Sequence, residues 1–223
     1  MRIWSFVSQK GGSGKTTLVL QLAIAALSKK LAISILDLDP QRSAEQWSEL
    51  REERHDRLEP TIVHGSATDL DGMLEAAEDT ATDLALIDTP PAVDKNMIYA
   101  ASAADMVVVP TRSNVLDQFA LHDTLDYLDR IGALSKTIVV INAPSKDDEA
   151  RTETERVARR QFGVPVVANA LEDQVDLAAS LADGKGIIET GPRRRAATAV
   201  RELYKQLTAH ERKLARARAR VMV

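Results

Sequence analysis

Cysteine is absent from the 223 residues, which excludes disulfides, thiolate metal sites and iron–sulfur ligation by this chain. No apolar run approaches the roughly 20 residues needed to span a bilayer. The N-terminus, Met1-Arg2-Ile3-Trp4, enters a strand pattern at once and leaves no room for a signal peptide, so a cytoplasmic protein is expected. Internal repeats, low-complexity tracts and Pro/Gly-rich linkers are also missing. One domain over 1–223 is therefore the economical reading. His55, His64, His122 and His210 are scattered and lack metal-ligand spacing.

What is present is an ordinary soluble composition, 44% hydrophobic and 28% charged, able to bury a sizeable core. The net charge of −4 is unevenly spread. Residues 193–223 hold ten basic and two acidic side chains, so the first 192 residues carry about −12. An acidic body with a basic tail points to an anionic partner, nucleic acid or lipid.

Strand-like and helix-like stretches alternate along the chain, the pattern of an α/β domain with a mainly parallel sheet and helices on both faces. Strands are expected over 2–8, 32–37, 61–64, 83–88, 105–110, 137–142 and 164–168. Several are almost wholly apolar, as strands covered on both faces must be. Helical patterns span 16–30, 43–54, 68–77, 114–131, 148–162, 175–182 and 194 to about 220. In the helix over 114–131, Leu116, Phe119, Ala120, Leu125 and Leu128 read as a core-packing stripe.

Between the first strand and the first helix stands Lys10-Gly11-Gly12-Ser13-Gly14-Lys15-Thr16-Thr17. Glycines there let successive backbone N–H groups curl around phosphate oxygens, and the following helix presents its positive end to them. Lys15 is placed to neutralise β- and γ-phosphate charge, the Thr16 hydroxyl to ligate Mg²⁺, and Thr17 to reach the α-phosphate. The general motif G-x-x-x-x-G-K-[ST] requires glycine at position 9, where this chain has Gln9. It has instead a second lysine, Lys10, at the start of the loop.

Lys-Gly-Gly-x-Gly-Lys-Thr-Thr is the deviant Walker A signature, and on it the chain resembles the ParA/MinD family of P-loop ATPases. The resemblance implies a single P-loop NTPase domain that hydrolyses ATP with Mg²⁺ and forms a homodimer when ATP is bound. It implies that Lys10 reaches the nucleotide of the partner subunit, like an arginine finger supplied in trans. Leu36-Asp37-Leu38-Asp39-Pro40-Gln41 resembles the family's Asp-x-Asp-Pro-Gln segment. By that resemblance Asp39 positions or activates the attacking water and touches the metal through water, while Asp37 supports it or the metal shell. Leu86-Ile87-Asp88-Thr89-Pro90-Pro91 fits a Walker B strand, with Asp88 holding Mg²⁺ through water and 88–94 forming a second switch. Asn142, closing the fifth of the clearer strands, is carried over as an adenine contact, or else is a strand-ending turn residue. The stretch from Val164 to Leu171 resembles the adenine-framing loop, but Asn169-Ala170-Leu171-Glu172 lacks the family's arginine. The glycine-containing turn over 181–189 reads as architectural.

Arg193, Arg194 and Arg195 open the last helix, and Arg212, Lys213, Arg216, Arg218 and Arg220 crowd its end. Such residues neutralise phosphates without reading bases, and the resemblance implies nonspecific, ATP-dependent DNA binding and a nucleoid-associated protein. A ParB-type stimulating partner is implied as well. The alternative, a MinD-like membrane-surface regulator, needs a bulky apolar helix face. Charge and alanine alternate over 213–220, and Leu214, Val221, Met222 and Val223 are the apolar residues there. The nitrogenase iron protein shares the loop but needs cysteines. A tyrosine kinase of this fold needs a tyrosine-rich tail, and the tyrosines here are Tyr99, Tyr127 and Tyr204. The expected function is therefore a ParA-type ATPase that partitions DNA or positions another cargo.

Overall fold

The computed structural model describes residues 1–92, 94–142, 148–167, 171 and 174–221. Ala168, Asn169, Ala170 and Glu172 of the expected last strand and loop lie outside these residues, as do Val93 of the second switch and terminal Met222 and Val223.

Among the described residues seven strands form one parallel sheet: β1 (Arg2–Phe6), β2 (Ile33–Asp37), β3 (Thr61–His64), β4 (Leu84–Asp88), β5 (Met106–Thr111), β6 (Thr137–Ile141) and β7 (Val166–Val167). Their order is β3-β2-β4-β1-β5-β6-β7. The chain leaves β1 in one direction to lay down β2 and β3, and later returns to place β5 on β1's other side. This reversal opens a crevice beyond the carboxyl end of β1, where parallel α/β sheets bind ligands.

Alternate strand residues serve opposite faces. Trp4, Phe6, Ile35, Leu86, Met106 and Val108 pack with α1 (Lys15–Leu27) and α9 (Arg195–Val221). Val107, Val109, Val139 and Ile141 pack with α4 (Lys95–Ala103) and α5 (Val115–Arg130). A strand with both faces covered has no polar side, which is why β4 and β5 read as unbroken apolar runs. The helix α4 carries no strong periodic signal and was not expected; Asp94 caps it by accepting from the Met97 N–H at 3.2 Å. The remaining helices are α2 (Ser43–His55), α3 (Leu70–Asp79), α6 (Asp148–Arg156, continued by a π turn over Val157–Gln161), α7 (Gln174–Ala182) and α8 (Ile187–Thr190).

The stripe expected along α5 is corrected. Leu125 and Leu128 are fully buried, but Leu116 and Phe119 are 69% and 66% exposed. At about 100° per residue, Phe119 points away from Leu128, and the face that meets the sheet is Leu121-Leu125-Leu128. The first turn of α5 lies beyond the strand ends, where nothing described covers Val115, Leu116 or Phe119.

The turn before α9 is architectural, as expected. Buried Arg51 of α2 clamps Glu189 through two hydrogen bonds of 2.9 and 2.8 Å and reaches the Gly184 carbonyl at 3.0 Å. A Cβ on Gly184 would come within 2.8 Å of the Arg51 backbone.

Candidate functional site

The loop between β1 and α1 turns on two glycines in left-handed backbone conformations, Gly12 at φ 72° and Gly14 at φ 96°. Gly14 precedes the first residue of α1, so the free N–H groups of that helix open into the crevice. A cavity of 210 Å³ lies there, lined by Gly11, Gly12, Gly14, Lys15, Thr16, Thr17, Asp39, Gln41, Ser43 and Pro91.

Three strands deliver the charged groups. The Thr16 hydroxyl donates to Asp88 Oδ2 at 2.6 Å, joining the start of α1 to the end of β4. Asp88 is fully buried and its Oδ1 has no partner among the described residues. Burial pushes its carboxyl up to about 7, against the opposing pull of the Thr16 hydroxyl and Lys15. Lys15 is buried too; its ammonium donates to the Ser8 carbonyl at 3.4 Å. Desolvation lowers its pKa while Asp88 and Asp39 pull it upward. The site thus sets a buried carboxylate with one unpartnered oxygen beside a hydroxyl and a lysine. It fits a hard divalent ion bound to a phosphate. No cluster of three His, Cys, Asp or Glu side chains able to hold a metal by itself occurs among the described residues.

Asp37 and Asp39 both sit at the carboxyl edge, with different employment. Asp37 ends β2, is fully buried, and accepts the Asp39 N–H at 3.0 Å and the Ala44 N–H at 3.2 Å. Its carboxylate thus braces the segment that carries Asp39. Burial raises its pKa, and these two N–H groups oppose the shift. Asp39 lies past the strand, half-buried at the cavity wall, accepting the Gln41 N–H at 2.9 Å.

Asn142 follows β6 and is 2% exposed; its amide donates to the Ser13 carbonyl at 3.2 Å. A Cβ on Gly14 would stand 2.0 Å from Asn142 Nδ2. Asn142 therefore stands directly against the loop at Ser13 and Gly14. Lys10, at the start of the loop, has its ammonium 2.7 Å from Asp117 Oδ1 on α5. Sequence reasoning did not single out Asp117: its only local sign is the cap formed with Asn114, whose side chain accepts the Asp117 N–H at 3.0 Å.

The basic residues divide. Arg193, Arg194 and Arg195 stand at one end of α9, and Arg216, Arg218 and Arg220 at the other, roughly 40 Å away for a helix of this length. All six are exposed. Arg194 pairs with Asp176 at 2.5 Å, and Arg218 with Asp105 at 3.0 Å.

Residues 4–187 match the family model described as the CobQ/CobB/MinD/ParA nucleotide binding domain. The chain belongs to this family. Among relatives of the CobQ/CobB/MinD/ParA domain, it is 30% identical to "Maintenance of carboxysome distribution protein A" of Gloeobacter kilaueensis over 74% of this chain and 73% of that one. It is 27% identical to "Chromosome-partitioning ATPase Soj" of Thermus thermophilus over 92% and 94%. The fold matches the ATP complex of a Cyanothece McdA variant with TM-score 0.71 at 19% identity, over 94% of this chain and 96% of that one. Relatives in this family thus partition chromosomes or distribute carboxysomes, and no described helix here is long and apolar enough to cross a membrane.

Proposed function

We propose that this chain is a ParA-type ATPase: it binds ATP with Mg²⁺, pairs with a second copy, holds nonspecific DNA in that state, and lets go on hydrolysis. The observation that carries the reading is the 2.6 Å contact between Thr16 and buried Asp88, with Thr16 and Lys15 lining the glycine-rich cavity. Backbone N–H groups from Gly11 to Thr17 cradle the phosphates, and Lys15 offsets their charge. Thr16, Asp88 and Asp39 are the residues that would hold Mg²⁺. The ion would supply positive charge against the phosphates and the transferred phosphoryl group. Asp39, braced by Asp37, orients the attacking water. Lys10 contributes its charge across the subunit boundary, and Asn142 keeps the loop in shape near the base end.

The two cationic ends of α9 give the assembly its grip on phosphates, with affinity that falls as salt rises. A stimulating partner of ParB type would set the rate of release, and a protein on this cycle sits in the cytoplasm, on the nucleoid. Relatives that partition chromosomes and distribute carboxysomes support cargo positioning as the purpose. The test is Mg²⁺-dependent ATP turnover together with ATP-dependent DNA retardation. Turnover lost in Asp39→Ala and retardation that requires ATP are the expected results. ATP-dependent flotation with liposomes, without DNA binding, would overturn the DNA assignment in favour of a membrane-surface switch.

A further inference from the structure

Helix α5 grips the first half of the phosphate loop at two points. The Gln9 N–H donates to Thr124 Oγ1 at 3.3 Å, one residue before the lysine that distinguishes this loop. Two turns earlier on the helix, Asp117 takes the Lys10 ammonium at 2.7 Å. The Asp117 side chain is 3% exposed and that of Lys10 is 32% exposed, so the carboxylate is the enclosed member of the pair. Its second oxygen accepts from the Asn114 amide.

We propose that Asp117 is a positioning residue for Lys10: it holds the lysine within its own chain until a second copy, with nucleotide bound, takes it over. The inference rests on the reading of Lys10 as a group that acts across a dimer. Withdrawing Lys10 would leave a nearly enclosed carboxylate with an amide as its side-chain partner, a costly state. Lys10 therefore stays docked while no phosphate competes for it. Val115, Leu116 and Phe119 are 60%, 69% and 66% exposed on the same stretch of α5. A second copy that meets the loop would meet these apolar side chains too, so its approach supplies both a new anion for Lys10 and cover for the patch. Asp117 thereby sets the threshold for assembly.

The test compares wild type, Asp117→Asn, Asp117→Glu, Lys10→Ala and the double variant Lys10→Ala/Asp117→Asn. Sedimentation with ATP and Mg²⁺ reads dimerisation, and turnover is followed against chain concentration. Asp117→Asn is expected to dimerise at roughly tenfold lower concentration than wild type. Asp117→Glu, which keeps a carboxylate, should behave as wild type, and Asp117→Asn should change nothing once Lys10 is gone. Unchanged dimerisation in Asp117→Asn, or an effect that survives Lys10→Ala, overturns the assignment. A wild-type chain that neither dimerises nor turns over ATP overturns the functional reading along with it. Lysine acetylation of the nucleotide-free wild type, read by mass spectrometry, tests the docking without any variant. Lys10 should react more slowly than exposed Lys29 and Lys30, and equal rates overturn the proposal.

Discussion

The Thr16 hydroxyl reaches the Asp88 carboxylate at 2.6 Å across 72 positions of sequence, tying the first turn of α1 to the end of β4. That bond occupies one oxygen of a fully buried acid and leaves the other without a partner among the described residues.

Its pH consequence is direct. Folding raises the Asp88 carboxyl from an ordinary 3.8 to about 7, so the folded chain binds a proton more tightly than the unfolded one. The resulting stability is full below the unfolded pKa and is lost as pH rises through about 7. The melting temperature of nucleotide-free protein should therefore fall between pH 5 and 8. Asp88→Asn should flatten that fall, though not remove it, since Asp37 is shifted the same way. The same variant should lower Mg²⁺-dependent turnover by roughly 10- to 100-fold. An identical melting profile in both proteins would refute the assignment of the shift to Asp88.

Gly14→Ala is expected to be far worse than Gly12→Ala. Both positions have positive φ, a strain of about 1–2 kcal/mol for alanine. Only at Gly14 does the new methyl strike another group, 2.0 Å from the Asn142 amide, while at Gly12 nothing lies within 4 Å. Thermal melts and nucleotide titrations of the two variants should show the larger stability loss and weaker binding for Gly14→Ala. Equal losses would mean that the Asn142 contact is immaterial.

Arg51 is the strut between α2 and the turn before α9. Its guanidinium is 3% exposed, stacks over Trp47 at 5.2 Å and holds Glu189 bidentately. Arg57 also pairs with Glu189 at 2.7 Å, so Arg51→Met leaves that carboxylate one cation and should cost about 1–3 kcal/mol in urea unfolding. A cost under about 1 kcal/mol would place this ion pair with exposed ones.

At the end of α9, neighbouring arginines should separate by role. Arg216→Ala should reduce the slope of log affinity for DNA against log salt by about 1 and leave the melting temperature alone. Arg218→Ala should also lower the melting temperature slightly, because Arg218 donates to both the side chain and the carbonyl of Asp105. If neither substitution alters the salt slope, the end of α9 makes no contact with DNA.

Much of this was legible in the sequence because it is local. Eight consecutive residues spell the phosphate loop, and a carboxylate at the end of an apolar strand marks Asp88. The strands themselves are declared by runs such as Met106–Val109, whose alternate residues need apolar cover on both faces. The two aspartates of β2 and its turn were legible as a pair, and the resemblance already gave Asp37 a supporting part, but not the bonds by which it does so. Only the folded backbone shows that Asp37 accepts the Asp39 and Ala44 N–H groups.

Tertiary structure alone decided three things. Which face of α5 meets the sheet depends on where the strands end, and so Leu116 and Phe119, apolar at helical spacing, stand in solvent. The service of Asn142 beneath Gly14 depends on a contact 128 residues apart, invisible to any local window. The docking of Lys10 on Asp117 joins two ordinary charges, each with many possible partners in the sequence, and only the chain's route past β5 brings them within 2.7 Å. Backbone chemistry and periodicity act over a few residues, so they can be read from order alone. The pairing of distant side chains depends on the path between them, which is settled only when the whole core is packed.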